Sequence, residues 1–117
     1  MPPSPEDLYL RMASLVQPGE WCTYGDVSAA VRGDARAARA VARAAATHPG
    51  FPNAHRVLRS GGVIAKGWGG DDGPGPAECR RRLEAEGVVF TPDGRAGPEF
   101  RVTGEELVLR APVSGDR

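Results

Sequence analysis

Residues Thr23 to Thr47 read TYGDVSAAVRGDARAARAVARAAAT, and the break at Arg32-Gly33-Asp34 decides the fold. Thr23 and Asp26 form a capping-box-like Thr-x-x-Asp, so a helix starts there and runs through Val27, Ala30 and Val31. Gly33 stops it. A second helix follows from Ala35 to Thr47, made of Ala and Arg, which favour helix, and Val, which does not. Pro49-Gly50 ends it. Two short helices separated by a glycine-containing turn match a helix-turn-helix.

On the N-terminal side, Ser4-Pro5-Glu6-Asp7 opens another helix: a capping serine, a proline at the first helical position and two acids at the positive end of the dipole. Leu8, Met12, Leu15 and Val16 give it one apolar stripe, and Pro18-Gly19 closes it. On the C-terminal side, Arg56-Val57-Leu58-Arg59 and Val63-Ile64 read as two short extended segments around Ser60-Gly61-Gly62. Gly67 to Pro76 reads as a mobile loop, and Ala77 to Glu86 as a helix closed by Gly87. From Val88 to Arg110 the alternation of Phe100 and Val102, continued by Leu107 and Leu109, predicts a hairpin or wing. The expected fold is mainly α with a small β wing, a winged helix-turn-helix DNA-binding domain. A single domain is expected over residues 1–110, with a disordered tail over 111–117.

The chain of 117 residues is long enough for one hydrophobic core and too short for two domains. No apolar run approaches the ~20 residues of a membrane helix. Met1-Pro2-Pro3-Ser4-Pro5 has neither part of a signal peptide, so a cytoplasmic location is expected. Cys22 and Cys79 form no zinc-type spacing and read as reduced, buried small hydrophobes; no metal and no cofactor is implied. Net charge is zero, yet it is unevenly spread: residues 32–66 carry +6, against −3 on each flank. A basic middle third is the footprint of a polyanionic partner.

Arg36, Arg39 and Arg43 recur at i, i+3 and i+7 and so share a helix face, with Ala38, Val41, Ala42 and Ala45 filling much of the rest. Alanines between arginines let a helix approach DNA closely. The same pattern also describes a solvated arginine face, and spacing alone leaves both readings open.

Several motifs in order resemble the O6-alkylguanine-DNA alkyltransferases: Thr23-Tyr24-Gly25-Asp26-Val27, Ala38-Arg39-Ala40-Val41, Pro52-Asn53-Ala54-His55-Arg56-Val57, and Leu83 to Gly87. The resemblance covers roughly residues 8–90. It implies that Tyr24 stands beside the target nucleotide's phosphate and helps to rotate the nucleotide outward. It implies that Arg39 fills the space left in the base stack, with the recognition helix in the minor groove. The reactive cysteine of the family would fall at Ala54, and a methyl group has no lone pair with which to attack an alkyl group. The chain is therefore similar to the alkyltransferase-like proteins, which bind the lesion without repairing it.

By the same resemblance His55 and Glu86 match the residues that activate the missing cysteine, and here they read as pocket structure. The DNA-binding residues implied are Tyr24, Arg36, Arg39, Arg43 and Lys66, and the lesion pocket is Tyr24, Ala54, His55, Val57 and Trp68. Trp68 also reads as a loop aromatic folded back on the surface. Asn53 in place of the family's proline, His48-Pro49 in place of Asn-Pro, and the divergent loop 67–76 depart from the pattern. The partners implied are duplex DNA containing O6-alkylguanine and nucleotide excision repair proteins, bound by a monomer. The alternatives are a winged-helix regulator that reads undamaged sequence and an alkyltransferase using another acceptor.

Overall fold

The computed structural model describes residues 3–70 and 73–111. Helix α1 spans Pro5–Ala13, and a reciprocal capping box joins Ser4 and Asp7. Its buried stripe runs through Tyr9, Ala13 and Val16, with Leu10, Met12 and Leu15 packed beside it. Leu8 is only half-buried. The stripe is thus one residue later than expected, because Tyr9, the largest apolar side chain of the turn, takes the core-facing position.

Strand β1 (Cys22–Thr23) leads straight into α2 (Tyr24–Arg32). Thr23 Oγ1 accepts from the Asp26 N–H and Asp26 Oδ2 accepts from the Thr23 N–H, each at 2.9 Å. Gly33, with φ 88°, terminates α2 in the left-handed region that glycine enters without steric penalty.

The expected helix from Ala35 to Thr47 is divided into a 3-10 turn at Ala35–Ala37 and α3 at Ala38–Thr47. The cause is local. Ser28 Oγ, fully buried, donates to the Asp34 carbonyl at 2.7 Å and accepts from the Ala37 N–H at 3.0 Å. Asp34 Oδ1 also takes the Arg36 N–H. Side chains therefore use the donors that a regular helix start would leave free. α2, this turn and α3 form the helix-turn-helix.

β2 (Val57–Leu58) pairs in parallel with β1, in the register Cys22 to Val57 and Thr23 to Leu58. The extended pair expected around Ser60-Gly61-Gly62 amounts to one antiparallel bridge, Arg59 to Val63. Helix α4 spans Pro76–Ala85, ending at Glu86 with Gly87 at φ 102°.

The wing is shorter than expected. One antiparallel bridge joins Phe90 and Ala96, and Trp21 bridges Arg101 in parallel. Residues Gly104–Arg110 are helix α5, not strand. Thr103 and Glu106 make a third capping box, and Leu107 is fully buried while Leu109 is 85% exposed. Ala111 is the C-cap of α5, and the rest of the expected tail, 112–117, lies outside the described residues.

Two apolar clusters meet at the strand pair. Cys22 and Val57 belong to the first, with Tyr9, Val27, Val41, Val102 and Leu107. Leu58 belongs to the second, with Trp21, Cys79, Leu83 and Val88. Each fully buried Leu or Val contributes roughly 1.5–3 kcal/mol. The two-residue sheet thereby fixes α4 and its neighbouring loop against the helix-turn-helix. Among the described residues no helix is long and apolar enough to cross a membrane.

Candidate nucleic-acid interface

A groove of about 1020 Å³ separates the helix-turn-helix from the segments around Ala54, Trp68 and Arg82. It stands at the upper end of ordinary ligand pockets, ~300–1,000 Å³. α3 lines it with Ala38, Arg39, Ala42, Ala45 and Ala46, and the start of α2 with Tyr24 and Gly25. Small side chains along α3 leave the backbone accessible to a large partner.

The groove is electropositive. Arg39, Arg59, Arg82 and Arg101 line it, and Asp26 is the one carboxylate among its lining residues. That carboxylate is engaged: Arg101 donates to Asp26 Oδ1 at 2.7 Å and to Oδ2 at 3.0 Å. No described carboxylate lies within ion-pairing distance of Arg39, Arg43 or Arg59.

Of the three arginines expected on one face, only Arg39 lines the groove. Arg36 lies in the 3-10 turn, its side chain 91% exposed and 3.8 Å from Asp34. Arg43 is exposed on α3 outside the lining. The break between the 3-10 turn and α3 sets Arg36 apart, whereas Arg43 shares α3 with Arg39 and still lies outside the lining.

Tyr24 is half-buried at the first position of α2, and burial raises its phenol pKa, so it stays protonated and able to donate. Ala54 and Trp68 also line the groove. The Trp68 indole N–H donates to the Ala54 carbonyl at 3.3 Å, and the Arg82 guanidinium lies 5.6 Å from the indole centroid. Trp68 both packs on the second cluster and faces the groove, so the two readings of it coexist.

Two expected pocket residues are elsewhere. Val57 is fully buried in the core, as is its strand neighbour Leu58, and neither reaches the groove. His55 is outside the lining: its Nε2–H donates to Glu86 Oε2 at 2.8 Å. Lys66 is exposed between two lining residues and is itself outside the lining.

Behind Ala54 stands a polar network. Arg56 donates to Glu86 Oε1 at 3.0 Å and Oε2 at 2.7 Å, and the Gly19 N–H donates to Oε1 at 3.2 Å. Burial alone would raise the Glu86 pKa, but hydrogen bonds from Arg56, His55 and Gly19 outweigh it and hold the carboxyl at about 2. Asn53 has φ 56°, left-handed, where a proline ring, locked near φ −65°, cannot follow. This backbone therefore excludes proline at position 53.

Neither thiol lines the groove. Cys79 Sγ donates to the His55 carbonyl at 3.4 Å, and burial pushes its pKa up to about 12. Burial raises Cys22 further. Thiolate is the nucleophilic form, so both are chemically quiet. Among the described residues no three His, Cys, Asp or Glu side chains gather as a metal requires.

Sequence reasoning missed Arg59, Arg82 and Arg101. Arg82 was hidden by grouping residues 67–117 as net acidic, although Glu78 at 2.8 Å is the carboxylate that holds it. Arg59 carried a signal, as the first cation after the extended Val57-Leu58.

Residues 7–88 match the family model for the DNA-binding domain of 6-O-methylguanine DNA methyltransferase. No curated protein matches the chain. Among solved structures, S. pombe Atl1 in complex with damaged DNA containing O6-carboxymethylguanine is 29% identical, with a TM-score of 0.66 over 85% of this chain and 94% of that one. A second, S. pombe ATL in complex with DNA, is 30% identical with a TM-score of 0.60, over 84% and 96%. These likenesses bear out the helix-turn-helix fold class.

Proposed function

The chain belongs to the 6-O-methylguanine DNA methyltransferase DNA-binding-domain family, and from that premise we propose that it binds O6-alkylguanine in duplex DNA without removing the alkyl group. The observation that carries the reading is the groove: cationic, alanine-faced along α3, and bounded by Tyr24, Arg39, Ala54 and Trp68. The likeness to S. pombe Atl1, solved with damaged DNA, supports it.

Unpaired arginines give loose, salt-dependent attraction to phosphates. Extruding a base costs a few kcal/mol, and less for a guanine whose O6-alkyl group weakens its pairing with cytosine. Tyr24 assists the rotation, and the planar Arg39 guanidinium stacks and hydrogen-bonds in the vacancy. The alkylated base enters beside Ala54 and Trp68.

Ala54 takes the position of the reactive cysteine in this reading. Burial and raised pKa of Cys22 and Cys79 support the absence of any substitute acceptor. With no alkyl transfer to end it, the complex persists, and a cytoplasmic monomer bound in this way flags the lesion to nucleotide excision repair proteins.

The test is fluorescence anisotropy, at one fixed salt concentration, with matched duplexes carrying O6-methylguanine or guanine, and with Arg39→Ala alongside. The reading expects tighter binding to the damaged duplex, loss of that preference in the variant, and unchanged masses of protein and DNA after incubation. Equal binding to both duplexes overturns it, and an added methyl mass on the protein overturns the non-enzymatic part.

A further inference from the structure

Asn53 is the only non-glycine residue with positive φ among the described residues, and its side chain explains why the strain persists. Asparagine tolerates the left-handed region better than most residues. Its Nδ2 donates to the Ala13 carbonyl at 3.0 Å and the Val16 carbonyl at 3.1 Å. These acceptors lie at the end of α1 and in the turn just after it, where the Ala13 carbonyl also takes the Val16 N–H at 3.2 Å. Its Oδ1 accepts from Arg56 Nη1 at 2.7 Å, and the same Nη1 donates to the Val16 carbonyl at 3.1 Å. Arg56 in turn grips Glu86 at the end of α4.

The residue after this pivot is Ala54. Its carbonyl receives the Trp68 indole N–H, so the segment that Asn53 turns supplies the polar tether of the indole, which the second cluster and Arg82 hold from its other sides. Asn53 itself is only half-buried and does not line the groove. Its contacts run away from the groove, to α1 and Arg56, while the segment that it turns runs along the groove.

We propose that Asn53 is a positioning residue: its side-chain amide holds the Ala54–Trp68 wall in the place that discriminates an alkylated base from guanine. The discrimination rests on the lesion-binding reading above; the holding of Trp68 does not. A bare left-handed turn would satisfy the backbone at this point. The amide adds a fixed attachment to α1, the helix that packs against both α2 and α3.

Two variants separate the side chain from the backbone. Asn53→Gly keeps the left-handed conformation without strain and removes every side-chain bond. Asn53→Asp keeps the acceptor for Arg56 but replaces both donated bonds with an anion facing two carbonyls. In the DNA-free protein, iodide quenching of tryptophan emission reads Trp68, because Trp21 is 2% exposed. Both variants are expected to increase quenching. With DNA, the ratio of Kd for guanine duplex to Kd for O6-methylguanine duplex is expected to fall a few-fold, the limit set by loosening the single Trp68–Ala54 hydrogen bond through which Asn53 acts. Affinity for the guanine duplex should stay within ~2-fold, since α3 is untouched.

Unchanged quenching in both variants overturns the positioning role whatever the DNA does. Altered quenching with an unchanged Kd ratio overturns the link to discrimination, and so does an equal loss on both duplexes. A wild-type ratio near one, with quenching that still responds to the variants, removes the lesion-binding reading and leaves Asn53 as the anchor of Trp68 alone.

Discussion

Glu86 Oε2 lies 2.8 Å from His55 Nε2 at the end of α4, and the same oxygen accepts from Arg56 at 2.7 Å. The carboxyl, held at about 2 against an ordinary value of 4.5, is more acidic folded than unfolded. A depressed carboxyl stabilises fully above its unfolded pKa and loses that contribution as pH falls through the folded one. Glu86→Gln should thus be less stable at neutral pH by ~2 kcal/mol, in the range for hydrogen bonds to charged groups. The gap should shrink from about pH 4.5 downward and vanish near pH 2. Urea unfolding at a series of pH values, followed by circular dichroism, reads both; a gap independent of pH would mean that the charge contributes nothing.

Arg39 lines the groove and Arg43 does not, although both lie exposed on α3. Arg39→Ala should cut affinity for the O6-methylguanine duplex far more than for the guanine duplex. Arg43→Ala should weaken both alike and reduce the slope of log K against log salt by about 1, as loss of one phosphate contact does. Anisotropy titrations at several salt concentrations distinguish the two patterns.

Leu107 and Leu109 tell helix from strand at the C-terminus. On a strand, residues two apart point to one face and would respond alike. On α5, Leu107 is fully buried and Leu109 is 85% exposed. Leu107→Ala should cost ~2–5 kcal/mol, and Leu109→Ala within ~0.5 kcal/mol. Thr103→Ala, which removes the cap, should cost ~1 kcal/mol. Urea denaturation of the three variants measures all of these, and equal losses at 107 and 109 would restore the hairpin.

The error over α5 shows where local pattern stops informing. Val102 is buried beside exposed Arg101, and Trp21 bridges Arg101, but Pro98–Phe100 is a 3-10 turn, so only the residues around Arg101 and Val102 are extended before Thr103. Thr103-x-x-Glu106 carried the same capping signal that was read correctly at Thr23, but the apolar alternation outweighed it. The β1–β2 pairing was not legible, because two-residue strands show no period and their parallel register is set by cluster packing. In the site, Tyr24, Arg39 and Ala54 were legible as motif residues, and Trp68 only as an aromatic of the divergent loop; the fold brings all four to one groove. Val57 and His55 share the motif with Ala54, but the 3-10 turn at Ala54–Arg56 directs successive residues to different neighbours. Motif membership therefore located the segment without assigning each side chain.

Trp68 should carry the stacking that the methyl group of Ala54 cannot supply. The indole lines the groove, tied by its N–H to the Ala54 carbonyl at 3.3 Å and approached by Arg82 at 5.6 Å. Base–aromatic stacking is worth ~1–3 kcal/mol per base, so Trp68→Ala should weaken binding to the O6-methylguanine duplex by about 10-fold or more. Trp68→Phe keeps a ring and loses only a long hydrogen bond, so its loss should be a few-fold at most. Guanine that stays stacked in the duplex never reaches the indole, and affinity for the undamaged duplex should hold in both variants. Anisotropy with the two duplexes measures this, and if Trp68→Phe proves as damaging as Trp68→Ala, the N–H anchor rather than the ring is what recognition uses.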